Sequence, residues 1–365
     1  MRLQLTPRRT ATFGQDFLAE RINRRLRVTP LAADTHGVFL QNAIPEDAHL
    51  IISHNPEDAG ESRLLAMLPS HARAVVHRHV QWSYLSAGQQ ENVRRSMANA
   101  ALCIAPAEFL AQESRALFPE TRCEVVHIGR DPMVYRPASL KARLAFRTQL
   151  QIPEDSFLAI HIGRLEDAKG LQILTTLAAR LPERAVLLMQ FTANSSDVNR
   201  SDGFWPQARA IQSANPTQVR LWPDTDPASD RPVRYADLLI STSLKEVAPM
   251  VAVEALMSGV PVAATDSTPF YGEIHTLGVA DEDLAVIPLP FSERLTTLTR
   301  DQLTLTEHEV TITANLMAGE IEGQIARGVE EMESALRAQR IMDAGFTEDA
   351  MVARLDALYR AVITE

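Results

Sequence analysis

The pattern of apolar and polar positions divides the chain into strand and helix segments that follow one another in turn. Continuous apolar runs of about four to eight residues, bounded by turn formers, read as buried strands. Strands are read at Arg2–Leu5, His49–His54, Ala72–His79, Ala100–Ala105 and the stretch after Cys123. Later ones are Phe157–Ile162, Ala185–Phe191, Val219–Trp222, Leu238–Ile240 and Val260–Ala264. Helical spacing lies between them. Leu18, Ile22 and Leu26 form the apolar stripe of a helix from Asp16 to Arg27. Further helices are predicted near Gln89–Ala98, Ala107–Leu117, Leu140–Leu150 and Leu171–Arg180, and from Pro249 to Gly259. A polar helical stretch from Leu303 to Gln339 precedes a last amphipathic helix, Met351–Val362. Strands alternating with helices predict an α/β protein with doubly wound parallel sheets.

The 365 residues exceed one ordinary core and suit two domains, each of roughly 150 to 200 residues. The expected division is 1–150, 151–345, and a last helix over 346–365. A formal net charge of −10 argues against nucleic-acid binding driven by bulk charge. With Cys103 and Cys123 the only cysteines, neither a disulfide framework nor a four-ligand zinc site is expected. No signal peptide and no spanning helix are expected, so the expected location is cytoplasmic. The basic residues are mostly arginine; lysine occurs only as Lys141, Lys169 and Lys245. Motifs for a dinucleotide fold, a P-loop and a zinc protease are absent, and no metal is expected.

The most informative stretch runs from Tyr235 to Glu273: strand, loop, helix, strand, loop. Pro249 suits a first helical position, where a missing N–H costs nothing. Glu246 lies in the loop before the helix and Glu254 two turns along it. A helix start offers free backbone N–H groups and the positive end of the dipole, which bind phosphate well. A second motif lies earlier. Gly163 and Arg164 end a strand, and Lys169 and Gly170 precede a helix. Both bases can reach a pyrophosphate from one side.

Glu246, seven residues, Glu254, and then AlaLeuMetSerGlyValProVal resemble the donor-site signature of retaining GT-B glycosyltransferases, family 4. Gly163, Arg164, Lys169 and Gly170 resemble the same family's phosphate-binding motif. Gly129, Asp131, Tyr135 and Pro137 resemble its segment between domains. The resemblance implies a GT-B fold of two Rossmann-like domains facing across a cleft, the last helix crossing back to the first. It implies sugar transfer from a nucleotide sugar to a carbohydrate or lipid-linked acceptor, with no cofactor and no metal. Glu246 would face the donor sugar, Glu254 the ribose, and Arg164 and Lys169 the diphosphate. Met250 and Val251 would line the donor, Trp222 would stack on the base, His79 would sit by the sugar, and Gly14 would lie in the first phosphate loop. ValAlaProMet stands where the family has a glycine-rich loop, and SerThrProPheTyrGlyGlu is expected as a loop carrying Glu273.

In the first domain Arg21, Arg24, Arg25 and Arg27 cluster on or near one helix. They are either a solvated face or a contact for an anionic acceptor or the inner membrane leaflet. His54, His77 and His79 fall at strand ends, where ligands sit in α/β sheets. Strand alternation places His77 and His79 on one face and Arg78 on the other. Two other readings stay open: another GT-B chemistry, such as a sugar phosphorylase or nucleotide-sugar epimerase, and a non-catalytic nucleotide-sugar-binding subunit.

Overall fold

The structure, a computed structural model, describes residues 2–6, 25–26, 29–32, 44, 47–164, 166–192, 206, 208–222, 232–290, 297–299, 302–328 and 331–364. Gly14, Arg21, Arg24, Arg27 and most of the helix expected from Asp16 lie outside the described residues. The chain forms two compact units: Met1–Gly129 with Glu348–Glu365, and Arg130–Thr347.

The first unit holds a parallel sheet of β1 (Arg2–Thr6), β2 (Thr29–Ala32), β3 (Leu50–Ser53), β4 (Arg73–His77), β5 (Ala100–Ala105) and β6 (Cys123–Val125). Its order is β2-β1-β3-β4-β5-β6, the doubly wound arrangement with a switch between β1 and β3. Every residue of β3 is buried, which is why it reads as an unbroken apolar run and not as alternation. Helices α1 (Ala59–Leu65), α2 (Ala87–Ala98) and α3 (Glu108–Leu117) belong to this unit, as does the last helix, Glu348–Thr364. That helix lays Met351, Leu355, Leu358, Tyr359 and Val362 on Leu50, Ile52, Val75, Leu102 and Ile104. Residues distant in sequence thus share one core, and Arg2 binds Asp356 at 2.7 Å.

The second unit begins earlier than expected, because α4 (Leu140–Gln149) is anchored within it. Asp237 is buried and accepts hydrogen bonds from Arg143, from Arg147 (2.6 Å) and from the Leu158 N–H (2.6 Å). Its parallel sheet contains β7 (Phe157–Arg164), β8 (Ala185–Thr192), β9 (Val219–Trp222), β10 (Leu238–Ser241), β11 (Val262–Thr265) and β12 (Leu284–Ile287). The order is β12-β11-β10-β7-β8-β9. From β7 the chain winds outward through β8 and β9, then returns to β10 and winds the other way. The switch point, where open α/β sheets bind ligands, therefore lies between the carboxyl ends of β7 and β10.

Helices α5 (Leu171–Ala178), α6 (Met250–Met257), α7 (Phe270–Thr276), α8 (Glu307–Arg327) and α9 (Glu331–Asp343) complete the second unit's main elements. Three expectations are corrected. Pro249 is the N-cap of α6, not its first helical residue. The segment expected as a loop around Glu273 forms α7, with Pro269 as its N-cap. The long polar helix is interrupted after Arg327, where Gly328 takes φ +75°. Short strands β2 and β12 and helix α1 were not expected. They span four, four and seven residues.

Glu61 of α1 is fully buried. Its carboxylate accepts from the Ser53 hydroxyl (2.5 Å), the Asn55 side chain (3.2 Å) and the Asn55 N–H (3.3 Å). Burial pushes its carboxyl up to about 8 from the usual 4.5, despite these bonds. The native state therefore keeps a proton that the unfolded chain releases. The resulting stabilisation is full below about pH 4.5 and is lost as pH rises to about 8. Glu61→Gln imitates the protonated acid and lacks this dependence. The thermal midpoint of the wild type minus that of Glu61→Gln should fall steadily across that window. A constant difference would show that Glu61 keeps an ordinary acidity.

Candidate active site

Two loops meet at the switch point of the second unit. After β7, Asp167–Lys169 form a single 3-10 turn, and Gly170 starts α5. After β10 come Thr242, Ser243 and the Glu246 loop leading to α6. The loops are stitched together by the backbone: the Leu244 N–H donates to the Ala168 carbonyl at 2.8 Å. The Thr242 hydroxyl donates to the Lys169 carbonyl, also at 2.8 Å. Lys169 Nζ then forms an ion pair with Glu246 Oε1, and the Ser243 hydroxyl donates to the same oxygen at 2.9 Å. The Glu246 N–H donates to the Ser267 carbonyl at 3.0 Å, tying in the loop after β11.

Gly170 makes this approach achievable. Its φ is +64°, in the left-handed region, and a Cβ there would lie 1.9 Å from the Thr242 carbonyl oxygen. Only a residue without a side chain fits both the conformation and the gap.

Helices α5 and α6 start in these loops, and neither has a side-chain N-cap hydrogen bond. By contrast, Ser139 and Thr306 cap α4 and α8. The first N–H groups of α5 and α6 thus have no side-chain acceptor, although in α6 the Ala252 N–H donates to the Pro249 carbonyl at 3.0 Å. Met250 and Val251 form the first turn of α6 and are half-buried. Arg164, 42% exposed, pairs with Glu166 at 2.6 Å, while the side chains of Lys169 and Glu246 are 18% and 17% exposed. The cationic groups, the acid and two uncapped helix starts thus share one end of the sheet, an arrangement suited to a polyanion bearing neutral hydroxyl groups.

Glu254 lies within α6 and carries a partner not expected from sequence: Arg130 Nε, at 2.7 Å. Arg130 falls inside the segment Gly129–Pro137, whose pattern gave its neighbours but not its role. Thr242 and Ser243, in the loop after β10, fasten Lys169 and Glu246. His161 on β7 is buried, its Nδ1 3.1 Å from the Ile240 carbonyl. Burial brings it down to about 4, so it is neutral. It also stands 3.2 Å from where a Gly163 Cβ would be.

Trp222 is placed otherwise than the base-stacking expectation. It is buried, with its ring centroid 5.2 Å from that of Phe146, because β9 turns this side chain into the contact with α4. His79 belongs to the first unit, where it gathers with His54 and His77. The rings of His54 and His77 have centroids 4.2 Å apart, and His54 Nδ1 is 3.4 Å from His79 Nε2. The alternation expected at the end of β4 persists: Arg78 points away to the Ser114 hydroxyl (2.7 Å) and Glu113 (2.8 Å). Arg25, from the basic cluster, pairs with Asp349 and with Glu348 (3.6 Å).

Residues 142–281 match the family model described as Glycosyl transferases group 1. The matched stretch lies wholly within the second unit. D-inositol 3-phosphate glycosyltransferase of Mycobacterium tuberculosis (strain ATCC 25618 / H37Rv) is 33% identical over 144 residues, 39% of this chain and 29% of that protein. The protein of the same description from Mycobacterium bovis (strain ATCC BAA-935 / AF2122/97) matches equally. The chain thus spans less than a third of the length of these curated relatives. Among solved structures, Anabaena Alr3699/HepE in complex with UDP superposes with a TM-score of 0.68 at 17% identity, over 99% of this chain and 100% of that one. Sucrose-phosphate synthase from Thermosynechococcus elongatus gives a TM-score of 0.70 at 13% identity, over 99% and 98%. At these identities the likeness establishes the fold, which is GT-B: α/β, with two parallel, Rossmann-like sheets.

Gly170→Ala should lower stability to urea by on the order of 2–4 kcal/mol, through left-handed strain and the clash with Thr242. Gly272→Ala in α7, where an added Cβ meets nothing within 4 Å, should be neutral or slightly stabilising. Equal effects of the two in urea unfolding would remove the special role of Gly170.

Proposed function

We propose that this chain is a glycosyltransferase that moves a sugar from a nucleoside-diphosphate sugar to a hydroxyl acceptor. One observation carries the reading: Lys169 and Glu246, from two different strand-helix connections, are fastened together at the switch point beside two uncapped helix starts. The mycobacterial relatives named as glycosyltransferases, and the HepE structures with UDP and with UDP and glucose, support a uridine nucleotide as donor.

Transfer breaks the bond between the anomeric carbon and the diphosphate oxygen. Positive charge develops on the sugar and negative charge on the leaving diphosphate. Lys169, Arg164 and the first N–H groups of α5 and α6 meet that negative charge. Glu246, held by Lys169 and Ser243, turns its carboxylate to donor hydroxyls. Glu254 reaches the ribose while Arg130 fixes its rotamer. With the charge met by side chains and helix ends, the reading needs no cofactor and no metal at the donor site. Retention at the anomeric carbon, by attack on the same face, and membership of family 4 follow from the resemblance of the Glu246–Glu254 motif. The acceptor is proposed as a carbohydrate or a lipid-linked glycan.

The test is release of nucleoside diphosphate from UDP-glucose, with and without a panel of sugar acceptors. Lys169→Ala should lower kcat/KM by about 100-fold or more, the cost of one preorganised donor. Arg164→Ala should cost less, since its side chain is 42% exposed. Glu246→Gln should abolish transfer while sparing UDP binding. Transfer unchanged in Glu246→Gln would remove that residue from the site. UDP binding without release from any donor would favour the binding-subunit reading, to which the ValAlaProMet loop lends support because Pro249 has no N–H to offer.

A further inference from the structure

We propose that His54, His77 and His79 form a binding site for one divalent transition-metal ion of the zinc class. The site lies at the carboxyl ends of β3 and β4 in the first unit. It does not rest on the donor-site reading, and it gives His79 a role other than the sugar contact implied by the resemblance.

Each of the three histidines brings a ring nitrogen within 4.8 Å of the other two. The 3.4 Å between His54 Nδ1 and His79 Nε2 is long for a hydrogen bond, which prefers about 2.7–3.2 Å. It matches the separation, about 3.3–3.4 Å, of two nitrogens held at about 2.0–2.1 Å on a tetrahedral ion. His77 Nε2 lies 2.8 Å from the Tyr359 hydroxyl. Engaged there, it leaves Nδ1 as the nitrogen His77 can present. A phenol fixing the far side of the ring is the outer support that ligating histidines commonly have.

The surroundings suit an ion better than a bare cluster. His54 and His77 are buried and His79 is half-buried, yet the His54 Nε2 has no hydrogen-bond partner among the described residues. The cluster therefore gathers three ring nitrogens within reach of one ion, while protein hydrogen bonds leave the His54 ring incompletely satisfied. Beside His77 and His79 is a cavity of about 10 Å³, bordered by Ile104, Pro106, Val126 and Met351. That is close to the room one water needs. Three imidazoles and one water make an open four-coordinate site, and an all-nitrogen set selects zinc, copper or nickel over magnesium or calcium.

The test uses the full chain stripped with a chelator. Calorimetric titration with Zn²⁺ should give one ion per chain with Kd below about 1 μM, a binding free energy beyond about −8 kcal/mol, and Mg²⁺ should give no heat. His54→Gln and His79→Gln should each weaken Zn²⁺ binding by about 10- to 100-fold, with unchanged circular dichroism. Cys123→Ser should leave it unchanged, which excludes the buried Cys103 and Cys123 as the ligands. If the buried His54 variant does not fold, His79→Gln and the X-ray absorption of the zinc-loaded wild type decide. That spectrum should show imidazole nitrogens and no sulfur. No stoichiometric uptake, uptake indifferent to His79→Gln, or sulfur scattering would each overturn the proposal.

Discussion

The second unit depends on one ion pair, Lys169 with Glu246, drawn from loops 77 residues apart in the chain. Half-buried charges of opposite sign need each other, since removing one leaves the other poorly solvated. The pair persists because the backbone brings the loops together first. Gly170 lets the 166–170 turn press against the Thr242 carbonyl, and hydrogen bonds from Leu244 and Thr242 hold it there. The sheet order places both loops at the switch point, and the helices that follow begin without side-chain caps. Steric need, topology and charge converge on one end of one sheet.

The first unit is governed by a different constraint. Its sheet is covered by a helix from the far end of the chain, and Tyr359 of that helix also reaches His77. Burial drives polar groups of this unit into neutral forms: a protonated Glu61 in α1 and three uncharged histidines at the strand ends. Among the described residues no helix is long and apolar enough to cross a membrane. Of the basic cluster in the first domain, Arg25 is paired with acids of the last helix.

Much of the fold was legible because parallel strands buried on both faces leave continuous apolar runs. Phe157, Val219 and Leu238 each open a strand where the pattern said so. Strand β12 was missed, although β9 and β10 are equally short. The spacings of Gly163–Gly170 and Glu246–Glu254 were legible, whereas the contacts of Arg130, Thr242 and Ser243 were not: they arise across loops and no local spacing encodes them. Trp222 carries a contact that strand-end position did not reveal. Its position at a strand end suggested a ligand, but Phe146 on α4 takes up its ring. The three histidines were each legible as strand-end residues, and only the neighbouring registers of β3 and β4 bring them together.

The central claim is that the Lys169–Glu246 constellation binds a nucleoside diphosphate. It is tested most directly by calorimetric titration of UDP, GDP and ADP, without metal, onto the wild-type protein and onto Lys169→Ala. The account predicts saturable binding of one nucleotide, UDP first, at one per chain, with the heat lost in Lys169→Ala. No binding of any of the three to the folded wild type, or binding indifferent to Lys169, would contradict it.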